Sequence, residues 1–538
     1  MIPVLTKEQA YKLDKDTIES GHLSQEELMD NAGKAVAQFF CEKIKNPFSK
    51  TVVVVCGKGN NGGDGVIAHS YLKKYNVSSK IVFTEENHGH SKLLRKYKIS
   101  KTKYSIYNDK TKFDNYDWVI DGIFGVGLNR RLNEKYIRIV TKLNQNKNII
   151  SIDIESGQKA DYMLSINNDY HVKSKHIITF GYFKLCHFLN PTESIYNKDI
   201  GFLSKTTSIF QLIVKDDINK IITGKNKKIN IHKYSRGKSL IYAGCDQYPG
   251  AAILSAKASK ITGSGYVNLG VDTLSDTLID KINIHLPEII VQKAFYSENK
   301  TGGHRFYLSQ YSDILIGPGF CLYDGYSIFE DISENPDASI RYVFDAECFN
   351  FANQMECQID EDNIENFPDF KEAYDIGDTY YYHNDWEYGI DFDVIRRFPE
   401  RSILTPHISE LIDITGDLFL WTNINFSNLK RLSEDIGNRI LILKSFNTFI
   451  ITKDMIYIMD RGPSLLATAG TGDVLSGILV SLLSQGYSRL EASILGTYLH
   501  AEAANYYMNN ISKDGMTASD LIDCIPHAFN ELRKNNEL

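Results

Sequence analysis

Leu28, Met29, Ala32, Ala35, Val36, Phe39 and Phe40 recur at helical spacing and predict a helix over residues 25–45. A short all-apolar run at Val52–Val55 then predicts a buried strand, followed by a glycine-rich loop and a helix beginning near Gly65. Further strand-like runs stand at Ser79–Phe83, Trp118–Ile120, Ile149–Ile154 and His176–Thr179. Strands separated by helices imply an α/β domain whose parallel sheet is covered on both faces. The pattern breaks at 214–230, a charged and polar stretch with a basic GKNKK, which reads as a linker. A second α/β pattern then runs through Ser239–Tyr242, Val267–Gly270, Ile314–Gly317, Tyr342–Asp345, Ile440–Lys444 and Phe449–Thr452. Two domains are therefore expected, 1–213 and 231–538, with no short internal repeat. Positions 351–400 interrupt the second pattern with 14 acidic and three basic residues, which reads as a solvated surface insertion.

Composition narrows the class. A chain of 538 residues suggests three or four domains by length alone and has no need of a metal or disulfide staple. Hydrophobic residues at 43% and charged residues at 24% argue against disorder. The net charge of -7 offers no basic stripe, so no nucleic-acid or membrane partner is expected. The acidic segment accounts for more than all of that charge, and the remainder of the chain is faintly basic. Eight cysteines without a CxxC pair fit reduced, mostly buried thiols in a cytosolic protein. The N-terminus has no signal layout, and apolar runs such as 51–56 and 478–483 are too short to span a bilayer. A cytoplasmic enzyme is the expectation.

Two glycine-rich segments carry candidate chemistry. In the first, Gly57, Gly59, Gly62, Gly63 and Gly65 lie between a strand and a helix, where backbone N–H groups can meet an anion. The sequence is neither GxGxxG nor a P-loop. A ligand-free tight turn is the plain reading, but Asn60, Asn61 and Asp64 add three short polar side chains suited to a cation or to hydroxyls. DGIFGVGLNRR at 121–131 and SIDIESG at 151–157 end two further strands, and such ends share the carboxyl edge of a parallel sheet. Oxygens of Asn61, Asp121 and Ser156 suit a hard monovalent cation, leaving Asp153 to move protons.

The second segment is SLLATAGTGDVLSGILVSLLSQG at 464–486. Gly470, Gly472 and Asp473 open a helix, forming a cradle for a transferring phosphoryl group with an acid/base at its mouth. A simple N-cap is the plain reading of Asp473. Other motifs stand in register with it: LIGPGF at 315–320, VFDAECF at 343–349, LTPHISE at 404–410 and LKSFNT at 443–448. Alone, His407 is as well explained as structural, and Lys444 as a surface residue.

The first constellation resembles the NAD(P)H-hydrate epimerase family, and the order of motifs from about 232 to 526 resembles the ADP/ATP-dependent NAD(P)H-hydrate dehydratase family. The resemblance implies a Rossmann-like three-layer α/β/α domain followed by a ribokinase-like α/β domain. It implies substrate contact by Asn60, Asn61, Gly62, Gly63, Asp64, Gly125, Val126, Gly127, Leu128, Asn129, Arg130 and Arg131. Asn61, Asp121 and Ser156 become ligands of a potassium ion, and Asp153 the acid/base, in contact with substrate. In the second domain it implies that Ala251, Gly319, His407 and Asp473 contact the hydrated nucleotide, with Asp473 catalytic. Lys444, Ser445, Phe446, Asn447, Thr448 and Gly472 then hold ADP or ATP with magnesium. The chain departs from the family pattern at Glu155, where proline is usual, and at Cys321 and Ser445, where glycine is usual. The implied partners are small molecules, hydrated NADH or NADPH and ADP or ATP, and homo-oligomerisation stays open. Two rival readings remain: another ribokinase-like small-molecule kinase, and a non-catalytic N-terminal interaction module.

Overall fold

The computed structural model describes residues 1–164, 170–190, 194–203, 206–224, 236–294, 308, 310–321, 324–334, 336–354, 393–415 and 424–533. The acidic segment read as an insertion at 351–400 lies outside them except for 351–354 and 393–400, as do Cys357 and residues 225–230 of the stretch read as a linker. The chain divides into two compact units. One comprises Ile2–Leu212 with Thr422–Leu429, the other Ile213–Trp421 and Lys430–Leu538 with Met1.

In the first unit the strands are β1 (Ile2–Leu5), β2 (Thr51–Cys56), β3 (Ser78–Phe83), β4 (Tyr104–Ile106), β5 (Trp118–Gly122), β6 (Ile149–Ile152), β7 (His176–Phe180), β8 (Phe183–Lys184), β9 (Ile195–Lys198) and β10 (Phe210–Leu212). Seven form a parallel sheet in the order β4-β3-β2-β5-β6-β7-β9. Val52–Val55 are fully buried, as a central strand covered on both faces requires. On one face the expected amphipathic helix, Gln25–Lys43, starts at a Ser24/Glu27 capping box and buries Val36, Phe39 and Phe40. The helix Asn60–Lys74 packs beside it. Outside this sheet, β1 pairs antiparallel with β10 and parallel with β8. Residues 424–426 return to this unit, where Met163 N–H donates to the Ile424 carbonyl and Phe426 N–H to that of Asp161.

In the second unit the strands are β11 (Lys238–Cys245), β12 (Tyr266–Asp272), β13 (Ile290–Lys293), β14 (Asp313–Ile316), β15 (Arg341–Phe344), β16 (Ser402–Leu404), β17 (Ile440–Lys444), β18 (Thr448–Ile451) and β19 (Ile456–Met459). Their order is β13-β12-β11-β14-β15-β16-β17-β18-β19, parallel as far as β17 and antiparallel beyond it. The helices Pro249–Thr262, Thr471–Ser484, Arg489–Asn510 and Ala518–Arg533 share its main core with the sheet. Inside the stretch read as a linker, Lys215–Thr223 is a helix of this unit with Ile218 fully buried.

One expectation is corrected. Cys245 and Cys321 are joined in a disulfide, with Cα atoms 6.0 Å apart, rather than both being free thiols. Strand order explains it: β11 and β14 are neighbours, so the segments leaving them meet, although 76 residues separate the two cysteines in sequence. Cys56, Cys186, Cys348 and Cys524 are free and buried, and Cys41 is free and half-buried.

Candidate active sites

Ligands of open parallel sheets gather at the carboxyl ends of strands where the strand order reverses. In the first unit that point lies between β2 and β5, and the glycine loop leaves β2 there. Two of its glycines are required by close approach. A Cβ on Gly57 would lie 2.0 Å from the Ile123 carbonyl oxygen, and one on Gly62 would lie 2.0 Å from that of Gly57. Gly59 precedes the helix Asn60–Lys74 without a side-chain cap, leaving its first N–H groups available.

Asn61, Asp121 and Ser156 come together around the segment after β5. Asn61 Nδ2 donates to the carbonyls of Phe124, at 2.9 Å, and Ile152, at 3.1 Å. Asp121, fully buried, accepts from Ser156 Oγ at 2.6 Å, Ser151 Oγ at 2.9 Å and the N–H groups of Ser156 and Ile123. Burial raises its pKa, and the bonds from Ser156 oppose that shift. Ser156 Oγ also accepts from Phe124 N–H at 2.9 Å. Glu155 turns elsewhere, accepting from Ser174 N–H and Oγ, both at 2.7 Å, and from Gln158 Nε2 at 2.8 Å.

Asp153 follows β6 in the left-handed region, φ 67°, a costly conformation for a non-glycine residue. Lys184 Nζ donates to its carboxylate at 2.6 Å and Thr179 Oγ1 at 3.1 Å. Burial pushes the Asp153 pKa up, but the charge and hydrogen bond of Lys184, together with His187 and the bond from Thr179, hold the carboxyl below its ordinary value. Lys184 N–H donates to His187 Nδ1, so His187 Nε2 carries the proton that it gives to the Asp153 carbonyl at 2.9 Å. Burial and Lys184 lower the His187 pKa to about 4, keeping it neutral.

Of these groups Asn61, Asp153 and Lys184 line a cavity of about 1010 Å³, with Asn60, Asp64, Gly125 to Arg130, Tyr11 and Asp14, whereas Asp121 and Ser156 are buried outside its lining. Of the other residues expected at substrate, Gly62 packs on the Gly57 carbonyl, Gly63 packs on Met29, and Arg131 stands outside the lining.

In the second unit the reversal lies between β11 and β14. Gly244 N–H donates to the Pro318 carbonyl at 2.7 Å, and Gly319, at φ 65°, comes so close to Ala251 that a Cβ there would lie 2.7 Å from the alanine Cβ. One turn along the same helix, Leu254 reaches Gly470, whose left-handed φ of 88° starts the helix Thr471–Ser484. Asp473 sits in the first turn of that helix. Burial, then the charge of Asp345, push its pKa up to about 7, against the pull of Lys444.

Lys444 ends β17 and donates to Asp345 Oδ1 at 3.0 Å, with Glu410 Oε2 at 4.0 Å. Thr405 Oγ1 gives Asp345 a second bond at 2.7 Å. A Cβ on Gly472 would lie 3.5 Å from Lys444 Nζ, so the ammonium stands at the start of the Asp473 helix. His407, joined to Lys444 by a β-bridge, bonds reciprocally with Glu410: each backbone N–H donates to the other's side chain, at 2.6 and 3.1 Å. Lys444 pairs with Thr448 across the β17–β18 turn, where Ser445 Oγ donates to the Asn447 carbonyl and the Phe446 ring is exposed. The Lys444 amine thus faces the carboxylates, while Ser445, Phe446 and Asn447 form the turn.

A family model described as YjeF-related protein N-terminus matches residues 25–186. One described as NAD(P)H-hydrate dehydratase matches residues 239–371 and 387–527, just over half of the chain. The chain belongs to the NAD(P)H-hydrate dehydratase family.

Relatives extend that likeness over both units. The bifunctional NAD(P)H-hydrate repair enzyme Nnr of Dictyoglomus turgidum is 28% identical over 95% of both chains. The enzyme of that name from Thermofilum pendens is 26% identical over 98% of this chain and 96% of its own. A solved structure of ADP/ATP-dependent NAD(P)H-hydrate dehydratase from Bacillus subtilis, co-crystallised with ATP and Mg2+, has 20% identity and a TM-score of 0.43 over 60% of this chain and 98% of that one.

For this member of the NAD(P)H-hydrate dehydratase family, sequence reasoning missed Lys184, Thr179, His187 and Asp14 in the first site. Lys184 and His187 follow a lone Gly181 in a segment that matches none of the candidate motifs, and only the fold brings them to Asp153. In the second site, Asp345 ends a predicted strand beside a candidate motif and was open to inference, whereas Thr405 and Glu410 act through pairings that spacing does not reveal. Among the described residues no helix is long and apolar enough to cross a membrane.

Proposed function

We propose that this chain is a bifunctional NAD(P)H-hydrate repair enzyme. Its first unit interconverts the R and S forms of hydrated NADH and NADPH, and its second dehydrates the S form at the expense of ADP or ATP. The observation that carries the second half is Asp473 at a helix start, its pKa near neutrality, with Lys444 and Asp345 beside it.

Hydration places a hydroxyl next to the nicotinamide ring nitrogen. Hydroxide leaves poorly, since water has a pKa of about 15.7. Phosphate leaves far more readily, with a second pKa of roughly 6 in a phosphoester. At about 1.4 kcal/mol per unit the difference bounds the gain at roughly 13 kcal/mol. Asp473, ionised, takes the proton of the substrate hydroxyl as that oxygen attacks the terminal phosphoryl group of ADP or ATP. Lys444 and the N–H groups opening the helix balance the phosphoryl charge. Phosphate then departs, a proton leaves the neighbouring ring carbon, and NAD(P)H is restored.

Such an enzyme handles one configuration, and the first unit supplies it from the other. A cavity of about 1010 Å³ suits a dinucleotide, and Asp153 is the proton carrier within it. Ser156 Oγ lies 2.6 Å from Asp121 and 3.4 Å from the Phe124 carbonyl. Asn61, whose Nδ2 meets that carbonyl at 2.9 Å, adds a further oxygen once its amide is turned over; together these would hold potassium. The ion would fix the loop after β5 against the substrate. The test is recovery of reduced-nicotinamide absorbance from S-hydrated NADH with and without ADP or ATP. Nucleotide-dependent recovery is expected, and recovery indifferent to nucleotide would overturn the reading.

A further inference from the structure

Inverting a carbon by loss and return of water needs proton transfer on two faces of the ring. Asp153 is fastened to one side: Lys184 and Thr179 hold its carboxylate, and His187 holds its backbone carbonyl. A second proton carrier must therefore reach the same cavity from another wall. The helix Lys7–Glu19 forms such a wall, contributing Tyr11 and Asp14 one turn apart on one face. Between that helix and Asp153 runs the loop after β5. A Cβ on Gly127 would lie 2.9 Å from the Tyr11 hydroxyl, and one on Gly125 would lie 3.5 Å from Asp153 Oδ2.

We propose that Asp14 is the second catalytic acid–base residue of this site, paired with Asp153 across the cavity; this rests on the epimerase reading above. Protonated Asp14 gives its proton to the substrate hydroxyl. The C–O bond breaks with both electrons on oxygen, water departs, and the ring-nitrogen lone pair forms a C=N+ bond. Water then adds to the other face, the π electrons return to nitrogen, and the Asp153 carboxylate accepts the proton released. Asp14 ends ionised and Asp153 protonated, and the reverse reaction exchanges their roles.

The surroundings suit the two parts. Burial and the charge of Asp153 push the Asp14 pKa up to about 6, against the pull of Lys184, while Asp153 is held low. Two carboxyl groups driven apart in this way mark an acid and a base. The other titratable groups facing the cavity serve less well. Glu85 is engaged by Lys58 and Tyr136 and held low. Asp64, in the helix Asn60–Lys74, is pushed well above its ordinary value by burial, then by Asp153 and Asp14. Tyr11 is also raised and stays neutral. Lys15, Glu19 and Arg130 complete the charged lining.

The test uses the full chain and pure R-hydrated NADH, with S-hydrate dehydration as the control for folding. Asp14→Asn is expected to slow epimerisation about 100-fold or more. It should also remove the fall in kcat/KM as pH rises through about 6, with S-hydrate dehydration unchanged. Asp14→Glu should restore most of the rate with that limb displaced. An Asp14→Asn enzyme within about threefold of wild type that keeps the limb, or an Asp14→Glu enzyme with an undisplaced limb, overturns the proposal. Absence of R-hydrate epimerisation by the wild-type chain, with S-hydrate dehydration intact, would instead overturn the epimerase reading itself.

Discussion

Asp473 shows how one side chain draws its chemistry from its neighbours. In water its carboxyl would be ionised at any physiological pH and a weak base. Burial and Asp345 lift it to about 7, and Lys444 keeps its ionised form accessible. Dehydratase kcat/KM should therefore rise with pH through an acidic limb near 7, and Asp473→Asn should cost about 100- to 10,000-fold while sparing nucleotide binding by calorimetry. In the other unit Lys184→Met should raise the Asp153 pKa, moving the acidic limb of epimerisation to higher pH and slowing it. Glu155 offers a stability readout. Its folded pKa lies near 7 against an ordinary 4.5, so the folded chain prefers its protonated form. Its contribution is present below pH 4.5 and lost as pH rises through 7, and Glu155→Gln should reduce the drop in Tm between pH 5 and pH 8. As candidates Asp153 and Asp473 were legible in the sequence, Asp153 because it ends an apolar strand run shortly before Ser156 and Gly157, and Asp473 because it follows Gly470 and Gly472 at a helix start. Lys184 and Asp14 were not, because a lysine in a two-residue strand and an aspartate within a helix look like surface residues until the fold gathers them.

At the scale of elements, both sites form where strand order reverses and glycines let one backbone pass another. Gly62→Ala tests that packing. The added Cβ meets a backbone oxygen at 2.0 Å, which no rotamer relieves, so the helix Asn60–Lys74 must shift. A loss of about 1–3 kcal/mol in stability of the first unit is expected by denaturant titration, with epimerisation lost and dehydration retained. The long apolar runs announced the central strands correctly, β2, β5 and β6 among them, because strands covered on both faces are continuously hydrophobic. The short strands β1, β4, β8, β9 and β10 escaped, since two to four residues of mixed character carry no period. The stretch from 214 read as a linker for its charge, yet Ile218 and its helical spacing bury one face of Lys215–Thr223. The Cys245–Cys321 bridge was invisible for another reason: pairing depends on which strands become neighbours, and no spacing rule encodes that.

For the whole molecule, length alone suggested three or four domains, while the contacts resolve two units, each with its own sheet and core. On the proposed function, both activities on one chain would make the whole hydrated pool repairable, because the first unit would feed the second the configuration it accepts. The claim is tested most directly by giving the full-length chain a mixture of R- and S-hydrated NADH with ATP and following absorbance of the reduced nicotinamide. The account predicts full recovery by wild type, recovery of only the S fraction by Asp153→Ala, and none by Asp473→Asn. Wild-type recovery that stops at the S fraction, or that proceeds without nucleotide, would contradict it.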